Sequence, residues 1–598
     1  MSEYIAPLRE MRFVLTELAG LDEISALPGF EDATPDTVEA VLEEAGKFAA
    51  GVLAPLNRVG DLQGARWENG HVFTPPGWRD AYDQFRDAGW TALAIPKEYG
   101  GQGLPQLVSA MVEEMWNGSN LAFALCPFLN RGAIAALEVA GSQQIKQRYL
   151  QKMVSGEWTG TMNLTEPQAG SDLAALRTRA VPGADGTYGI QGQKIFISYG
   201  EHDLADNIVH LVLARTPDAP AGTKGISLFV VPKVLVDNEG TLGARNDVRC
   251  ASIEHKLGIH GSPTAMLAFG DAGGAVGHLV GQENRGLEYM FVMMNEARFA
   301  VGLQGIGLAE RAYQRALAYA RERVQGSEVG RKDGARVAII RHPDVRRMLM
   351  SMKCRIEAMR ALAAVVAASL DRAHAHPDAA TRRQNQAFVD LMMPVVKAWS
   401  TENGMDIASL GVQIHGGMGL VEETGAAQHM RDTRITTIYE GTTGIQAGDL
   451  VGRKIAREGG STILRVIAQM AEVGALLAKQ DDANLRAIGY ALGNGTQALA
   501  SSVRFVVETY ERDPKRVLVG AVPFLELFGI VAGGWQMGRS ALAASRLLGQ
   551  GDDDSAFLRT KILTARFYAD HFLSRVSGLA STVAFGSEAA MAMADDNF

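Results

Sequence analysis

The segment Ile208-Val-His-Leu-Val-Leu-Ala214 decides the fold class, because it is a short run rich in β-branched residues within a chain that otherwise shows helical patterns. Two similar runs flank it, Lys194-Ile-Phe-Ile-Ser198 and Ile226-Ser-Leu-Phe-Val-Val-Pro232, and Gly, Asp and Pro clusters separate the three. Short apolar runs bounded by such turn residues are typical of strands. We therefore predict a small β domain over residues 159–280.

Helical periodicity surrounds this β domain on both sides. Apolar residues recur at helical spacing before it, for example over residues 38–48, 76–88 and 107–116, and after it over residues 298–324 and 342–373. An Ala-rich helical region follows the Gly459-Gly460 break. We predict a mainly α protein with a central β domain. Its five predicted parts are an N-terminal extension (1–35), an α domain (36–158), the β domain (159–280), an α bundle (281–456) and an extra helical domain (460–598).

Composition indicates a soluble, mildly acidic protein with several domains. The chain has 598 residues, a net charge of −9, 21% charged residues and 47% hydrophobic residues. This length is enough for several domains, each with its own core. After residue 450 acidic and basic side chains are about equally frequent and form no basic stripe. A duplex-binding protein needs clustered Lys and Arg, so we predict no nucleic-acid partner.

The cysteines and the N-terminus indicate the compartment. Cys126, Cys250 and Cys354 lie far apart, which suggests neither a disulfide framework nor a zinc site, so we predict no metal. The first ten residues carry acids early and lack an apolar core, unlike a signal or transit peptide. No uninterrupted run of about 18 apolar residues occurs. We therefore predict a cytoplasmic protein without a membrane span.

The segment Arg431-Asp-Thr-Arg-Ile-Thr-Thr-Ile-Tyr-Glu-Gly-Thr-Thr-Gly-Ile-Gln446 contains a candidate catalytic base. Glu440 follows Ile438 and Tyr439, and partial desolvation there would raise its pKa and make it a better proton acceptor. Gly441 would let substrate approach the backbone closely. The alternative is a solvated Glu near a helix start, with Thr442 and Thr443 as capping residues.

Several separated motifs resemble the acyl-CoA dehydrogenase family and occur in the order of that family. They are Tyr99-Gly-Gly-Gln-Gly-Leu104, Thr161-Met-Asn-Leu-Thr-Glu-Pro-Gln-Ala-Gly-Ser-Asp172, Lys256-Leu-Gly-Ile-His-Gly-Ser-Pro-Thr264, Val280-Gly-Gln-Glu-Asn-Arg-Gly286 and the Tyr-Glu-Gly-Thr run at Glu440. The resemblance covers about residues 80–450. The helical additions at both ends resemble a longer bacterial branch, which includes the 3-methylmercaptopropionyl-CoA dehydrogenases.

The resemblance implies FAD as the cofactor, held without a Rossmann fingerprint between the β domain and the bundle. Phe196 replaces the Trp of the family's Trp-Ile-Thr strand, and the alternative for Phe196 is a core strand position. His415 stands where the family often has an apolar residue, so we assign it no catalysis. The residues implied to bind FAD are Met162, Leu164, Thr165, Ser171, Phe196, Ile197, Ser198, Arg323, Gln413, Gly416, Gly417, Thr442 and Gln446.

The resemblance also implies an acyl-CoA substrate. Some family members place the base on the helix before the arginine of Asn295-Glu-Ala-Arg298, but the corresponding Ala297 cannot accept a proton. Glu440 is therefore the expected catalytic residue. The residues implied to contact the substrate are Ser171, Asn295, Arg298, Tyr439 and Gly441.

The activity implied by the resemblance is α,β-dehydrogenation of an acyl-CoA thioester, as in β-oxidation of fatty acids. Glu440 would remove the α-proton, the β-hydride would pass to the flavin, and electrons would leave to an electron-transfer flavoprotein. Arg323, which aligns with an arginine that binds the flavin of a neighbouring subunit, implies a homodimer. Two alternatives stay open: an acyl-CoA oxidase that uses oxygen, and a DNA-associated relative with a basic C-terminal domain.

Overall fold

The computed structural model describes residues 4–330, 334–551 and 554–598. It confirms a mainly helical protein with a central β sheet. The chain divides into two compact units. The first unit contains the chain up to Gly46, Pro105–Gly118 and Val301–Phe598, and the second contains Lys47–Leu104 and Ser119–Ala300. The five predicted domain boundaries remain a prediction.

The second unit contains an eight-stranded sheet, and the three β-rich runs of the sequence all lie in its strands. Seven strands follow one another in the order Val248–Ile253, Thr264–Phe269, Tyr188–Ser198, Ala275–Val280, Ser227–Pro232, Asn207–Ala214 and Trp158–Asn163. Arg179–Pro182 pairs with Tyr188–Ser198 off this path. Trp158–Asn163 runs parallel to Asn207–Ala214 with Met162 opposite Leu211, and the other pairs are antiparallel.

Each face of the sheet carries apolar residues and packs into its own core within the second unit. On one side Ile190, Phe229 and Phe269 are buried. On the other side Leu211 and Met162 pack with helical residues such as Met293. Alternation of side chains along a strand explains the division, because successive residues point to opposite faces. The shorter helices of this unit are Ala54–Gln63, Trp78–Asp87, Gln143–Ile145 and Gln151–Ser155.

The first unit is a helical assembly to which both chain termini contribute. Two long helices, Gln106–Ala140 and Gly286–Glu322, contain a boundary between the units. The remaining helices of the first unit are Leu8–Phe13, Leu21–Ser25, Pro35–Phe48, Pro343–Ala375, Ala379–His415, Ala426–Thr433, Thr443–Asp449, Ser461–Ala478, Ala483–Thr509, Pro514–Val519, Ala521–Gly549, Ser555–His571, Val576–Phe585 and Ser587–Ala592. Asp378 and Asp482 cap two of the long helices with their carboxylates, which satisfies free N–H groups of the first turn.

Buried ion pairs join the N-terminal segment and the extra C-terminal helices to the bundle in the first unit. Lys561 of helix Ser555–His571 lies 2.8 Å from a carboxylate oxygen of Glu10 and 2.7 Å from one of Glu357. Arg360 donates to Glu114 and Glu310, and its side chain is 1% exposed. Buried charges persist only when they are paired in this way.

Three short strand pairs were not expected from the sequence. They are Arg66–Glu68 with His71–Phe73, Val234–Val236 with Leu242–Arg245, and Val324–Ser327 with Arg336–Ala338. The last pair interrupts the region that we predicted as helical, because the segment after Arg323 contains Gly326, Gly330 and Gly334, each with a positive φ. Glycines at such positions favour turns over helix.

Two helices, Gln106–Ala140 and Ser461–Ala478, are long and apolar enough to cross a membrane by length and composition. Their most apolar windows are 67% and 39% buried within the protein, and core helices of soluble proteins have the same character. A search for uninterrupted apolar runs overlooks the first helix, because Glu113, Glu114 and Asn117 interrupt its apolar residues. The expected lack of a membrane span therefore stays a prediction.

Candidate active site

Glu440 lies in a strained turn of the first unit. Its φ is +55°, in the left-handed region that residues with a Cβ atom seldom adopt, and the φ of Gly441 is +96°. A Cβ atom on Gly441 would lie 2.6 Å from Nε2 of Gln446, and the positive φ of Gly441 also disfavours a residue with a side chain. Left-handed backbone at a residue other than glycine costs about 1–3 kcal/mol and is concentrated at functional sites. The surrounding contacts must therefore hold this turn.

Two buried side chains hold the Glu440 turn, which we define as residues 439–442. Nζ of Lys397 donates to the carbonyl oxygens of Thr436 at 2.9 Å and of Gly441 at 2.7 Å. Lys397 is fully buried in helix Ala379–His415. Nε2 of Gln446 donates to the carbonyl oxygen of Glu440 at 3.1 Å. The carbonyl oxygens of both residues with a positive φ, Glu440 and Gly441, thus accept hydrogen bonds from buried side chains of the bundle.

The neighbours of Glu440 differ in exposure. Ile438 is 46% exposed, whereas the hydroxyl of Tyr439 donates to Oε1 of Gln304 and burial raises the pKa of Tyr439. Oγ1 of Thr442 accepts from the N–H of Ile445 at 3.3 Å, so Thr442 is the cap of helix Thr443–Asp449. The structure thereby confirms the capping geometry of Thr442. The raised pKa of Glu440 stays a prediction.

The predicted flavin-binding strand in the second unit ends in an exposed aromatic ring. Phe196, near the end of strand Tyr188–Ser198, is 60% exposed and has a φ of +59°. The alternative of a core position for Phe196 is therefore wrong, because the local backbone turns its ring outward. Ile197 is buried and Ser198 is half-buried.

A buried ion pair fixes the loop that carries Leu164 and Thr165. Nζ of Lys194 lies 2.9 Å from Oε1 of Glu166 and donates to the carbonyl oxygen of Leu164 at 3.0 Å. Burial alone would raise the pKa of Glu166, but the Lys194 ammonium and a hydrogen bond from Thr178 outweigh it and lower that pKa to about 2. The N–H of Ile195 also donates to the carbonyl oxygen of Thr165 at 2.9 Å.

These contacts bring the Met162–Thr165 part of the first motif and the Phe196 strand together within the second unit. Met162 is buried in strand Trp158–Asn163. The hydroxyls of Thr165, Ser171 and Ser198 make no side-chain hydrogen bond that the structure records within the described ranges, 4–330, 334–551 and 554–598, and so are available to a ligand. An exposed aromatic ring with hydroxyls nearby in sequence suits a flavin, which has an aromatic face and a polar edge.

The other predicted site residues are spread over the surface and the bundle. Arg323 is exposed and its guanidinium donates to Gln325 at 3.2 Å. Asn295 is exposed, whereas Arg298 is buried. Gln413, Gly416 and Gly417 are exposed where helix Ala379–His415 ends. His415 stacks on Tyr319 with 4.4 Å between ring centroids, and its Nδ1 lies 2.7 Å from the carbonyl oxygen of Gly411. The expectation that His415 takes no part in catalysis stays a prediction.

Sequence reasoning missed Lys194 and Lys397, the two cations that hold the candidate segments. Each lies within an apolar stretch, at the start of Lys194-Ile-Phe-Ile and after Pro394-Val-Val. A lysine inside an apolar run is a usable signal, because such a side chain is buried only when its ammonium group finds acceptors.

Four family models match consecutive parts of the chain. "Acyl-CoA dehydrogenase, N-terminal domain" matches residues 35–157, and "Acyl-CoA dehydrogenase, middle domain" matches residues 161–272. "Acyl-CoA dehydrogenase, C-terminal domain" matches residues 284–455, which include Glu440. "Acetyl-CoA dehydrogenase C-terminal like" matches residues 466–594.

Similar proteins extend over nearly the whole chain. A 3-methylmercaptopropionyl-CoA dehydrogenase of Ruegeria pomeroyi is 50% identical over 96% of this chain and 97% of that protein. A butyryl-CoA dehydrogenase of Syntrophomonas wolfei is 34% identical over 100% of this chain and 99% of that protein. A crystal structure of an acyl-CoA dehydrogenase of Bacillus anthracis, complexed with FAD, has a TM-score of 0.74 at 20% identity and covers 96% of this chain and 91% of that chain. The chain therefore belongs to the acyl-CoA dehydrogenase family, whose members are FAD-dependent oxidoreductases.

Proposed function

We propose that this enzyme oxidises the Cα–Cβ bond of an acyl-CoA thioester to the trans-2-enoyl-CoA, with Glu440 as the base. The observation that carries the proposal is the strained turn at Glu440, which two buried side chains hold in place. A strained backbone with dedicated supports is the arrangement expected where a reacting group must be positioned. The family to which the chain belongs supports the reaction class.

The α-proton of a thioester is too weakly acidic for a lone carboxylate. The developing enolate must therefore be stabilised. We propose that the backbone N–H of Glu440 donates one hydrogen bond to the thioester carbonyl oxygen. Such a donor typically contributes about 3 kcal/mol to lowering the barrier. Lys397 and Gln446 determine where that N–H points, because they fix the carbonyl groups of the same turn. Bound FAD would supply the acceptor for the hydride that leaves Cβ.

The residues that we assign to FAD follow the family resemblance, and they are described for each unit by itself. Phe196 offers its exposed ring to the flavin, and Thr165 and Ser198 offer hydroxyls to its polar edge. Met162, Leu164 and Ile197 supply the adjoining backbone. In the first unit, Arg323, Gln413, Gly416 and Gly417 are assigned to the phosphate and adenosine parts of FAD, and Thr442 and Gln446 are assigned to its ring. Ser171, Asn295, Arg298, Tyr439 and Gly441 are assigned to the CoA thioester.

We also propose how electrons leave, and where and in what assembly the enzyme works. Electrons pass to an electron-transfer flavoprotein, and the enzyme is a cytoplasmic homodimer. The exposed guanidinium of Arg323 supports the dimer, because the aligned family arginine reaches a neighbouring subunit's flavin. Stoichiometric hydrogen peroxide from acyl-CoA and air would instead select an oxidase.

The substrate proposed is a short acyl-CoA whose chain carries a thioether sulfur, 3-methylmercaptopropionyl-CoA. The relative from Ruegeria pomeroyi, which is named for that substrate and matches nearly the whole chain, supports this choice over a long fatty acyl group. The butyryl-CoA dehydrogenase relative supports a short chain as well.

Anaerobic titration of the purified enzyme tests the function. Butyryl-, octanoyl-, palmitoyl- and 3-methylmercaptopropionyl-CoA are added in turn while the visible absorbance of the oxidised flavin is followed. We expect bleaching at the lowest concentration with 3-methylmercaptopropionyl-CoA, at a higher one with butyryl-CoA, and little with palmitoyl-CoA. Preferential bleaching by palmitoyl-CoA would contradict the substrate, and no bleaching with any thioester would contradict the reaction.

A further inference from the structure

Lys397 lies in a part of helix Ala379–His415 that contacts different neighbours on its two sides. On one side its ammonium group donates to Thr436 and Gly441, at 2.9 and 2.7 Å, and so bonds the Glu440 turn. Trp399, two residues further on, is 3% exposed. Two residues correspond to about 200° around a helix, so Lys397 and Trp399 occupy opposite faces.

Trp399 packs against the extra C-terminal helical domain. A Cβ atom at Gly529 would lie 2.3 Å from Cγ of Trp399, and one at Gly533 would lie 2.6 Å from its Cη2. Both glycines belong to helix Ala521–Gly549, so the indole ring lies directly on the backbone of that helix. Helix backbone and aromatic ring can approach this closely only because neither glycine carries a side chain.

We propose that Lys397 is a positioning residue for Glu440, and that the C-terminal domain fixes Lys397 in place through the contact of Trp399 with Gly529 and Gly533. The proposal rests on the proposed function, since it concerns the same base. In this proposal the C-terminal domain has a role in catalysis. It keeps helix Ala379–His415 in place, and that helix holds the strained backbone of the Glu440 turn. Lys397 itself touches the backbone of the turn and acts through it.

The chain offers a matched control for Lys397 within the same unit. Lys561 is also buried, is 1% exposed, and also makes two hydrogen bonds, to Glu10 and Glu357. Substitution of either lysine by methionine removes one buried ammonium group and leaves an unbranched apolar side chain that is one atom shorter. Loss of stability alone should affect both variants, whereas loss of positioning should affect only Lys397→Met.

The experiment measures the rate constant of flavin reduction by acyl-CoA in anaerobic stopped flow, with ordinary and α-deuterated substrate. We expect Lys397→Met to reduce that rate constant by about 10- to 100-fold, since a displacement near 1 Å at a reacting group has such an effect. Bound FAD and the Kd of acyl-CoA should stay near wild type, and the isotope effect should persist or grow. Lys561→Met should stay within about threefold of wild type.

A wild-type rate in Lys397→Met, or an equal loss in Lys561→Met, would overturn the proposal. If Lys397→Met does not fold, Gly529→Ala is compared with Gly538→Ala. The methyl group added at Gly538 would lie 2.9 Å from Leu477, 3.6 Å from Val473 and 3.7 Å from Leu492, all of them in the C-terminal domain and away from Trp399. Flavin reduction that is slower in Gly529→Ala but not in Gly538→Ala supports the proposal. Equal rate constants in the two variants overturn it. Glu440→Gln separates the hypothesis that Glu440 is the base from the hypothesis that Lys397 positions it. An active Glu440→Gln enzyme contradicts the proposed function, whatever the result for Lys397→Met.

Discussion

Six residues other than glycine have a positive φ within residues 4–330, 334–551 and 554–598, and two of them, Glu440 and Phe196, are predicted site residues. Such strain persists only where surrounding contacts enforce it. Lys397 and Gln446 provide these contacts for Glu440, and Lys194 with Glu166 anchors the loop beside Phe196. Glu440 and Phe196 are thus strained residues, each held or flanked by buried hydrogen-bonded side chains of its own unit.

Gly441→Ala tests the strain in the Glu440 turn. The φ of +96° and the 2.6 Å approach to Nε2 of Gln446 both oppose a Cβ atom. We expect the free energy of unfolding to fall by about 1–3 kcal/mol and kcat to fall more than KM changes. Urea denaturation and steady-state kinetics measure the two effects. Gly444→Ala is the control, because its Cβ would lie 3.9 Å from the nearest atom; equal losses in both variants would contradict the account.

Glu166 gives a pH prediction. Its pKa is lowered from 4.5 to about 2, so the stabilisation is present above pH 4.5 and is lost as pH falls towards 2. This difference between the pKa of Glu166 in the unfolded and the folded chain corresponds to ~3 kcal/mol of unfolding free energy. We expect the difference in unfolding free energy between wild type and Glu166→Gln to shrink by about that amount between pH 6 and pH 2 in urea titrations. A difference that does not vary with pH would show that the ion pair has no such effect.

The sequence predicted Glu440, Gly441 and the Phe196 strand because each is part of a local motif. It could not predict Lys397, which reaches Gly441 across 44 positions of the chain, nor the use of Gln446 as a support for the carbonyl of Glu440. Contacts of that kind depend on tertiary packing, whereas motifs record only neighbours in sequence. The assignment of Gln446 to the flavin remains a prediction.

At the scale of elements, the N-terminal helix Leu8–Phe13 and the C-terminal helix Ser555–His571 depend on each other. Nζ of Lys561 bonds Glu10, and the ring of Phe13 packs edge-on against Phe557 at 5.7 Å between centroids. Lys561 also lies 5.0 Å from the ring centroid of Phe13. The two ends of the chain are therefore parts of one packed cluster.

A double-mutant cycle with Glu10→Gln and Lys561→Met measures this dependence. Lys561→Met takes this cation from both Glu10 and Glu357 and should lose about 3–5 kcal/mol of unfolding free energy. Glu10→Gln should lose less, because Lys561 keeps its contact with Glu357. The double variant should lose clearly less than the sum, with a coupling of at least about 1 kcal/mol. Additive losses, measured by chemical denaturation, would mean that the pair does not join the two helices.

Strands and long helices were predictable from periodicity, as the run 208–214 and the helix Pro343–Ala375 show. The hairpin of Val324–Ser327 and Arg336–Ala338 was not, because its strands are short and mostly exposed and so carry no apolar alternation. The N-terminal helices were equally hard to identify, since their stability comes from distant partners such as Lys561.

At the scale of the whole molecule, the extra C-terminal domain is part of the scaffold of the first unit. Its helix Ala521–Gly549 receives Trp399, and its helix Ser555–His571 supplies Lys561 to Glu357. The sequence placed this domain after Gly459-Gly460 but left its role open. The contact with Trp399 gives it one in our proposal, because Trp399 lies on the same helix as Lys397, which bonds the Glu440 turn.

Truncation after Gly460 tests that role. The truncated chain exposes the indole of Trp399 and leaves Glu10 and Glu357 without Lys561. We expect aggregation or a melting temperature at least about 10 °C lower, since the loss of several buried contacts exceeds the usual stability margin of a few kcal/mol. A soluble truncated enzyme with the melting temperature and kcat of the full chain would show that the domain is dispensable.

Glu440 is the residue that we propose to remove the α-proton of an acyl-CoA. The decisive measurement is anaerobic mixing of Glu440→Gln enzyme, purified with its FAD, with the acyl-CoA that bleaches the wild type. We expect the variant to bind the thioester with a Kd near that of the wild type, while the rate constant of flavin bleaching falls by at least about 1,000-fold. Bleaching at a rate close to wild type would contradict it and would place the base on another residue.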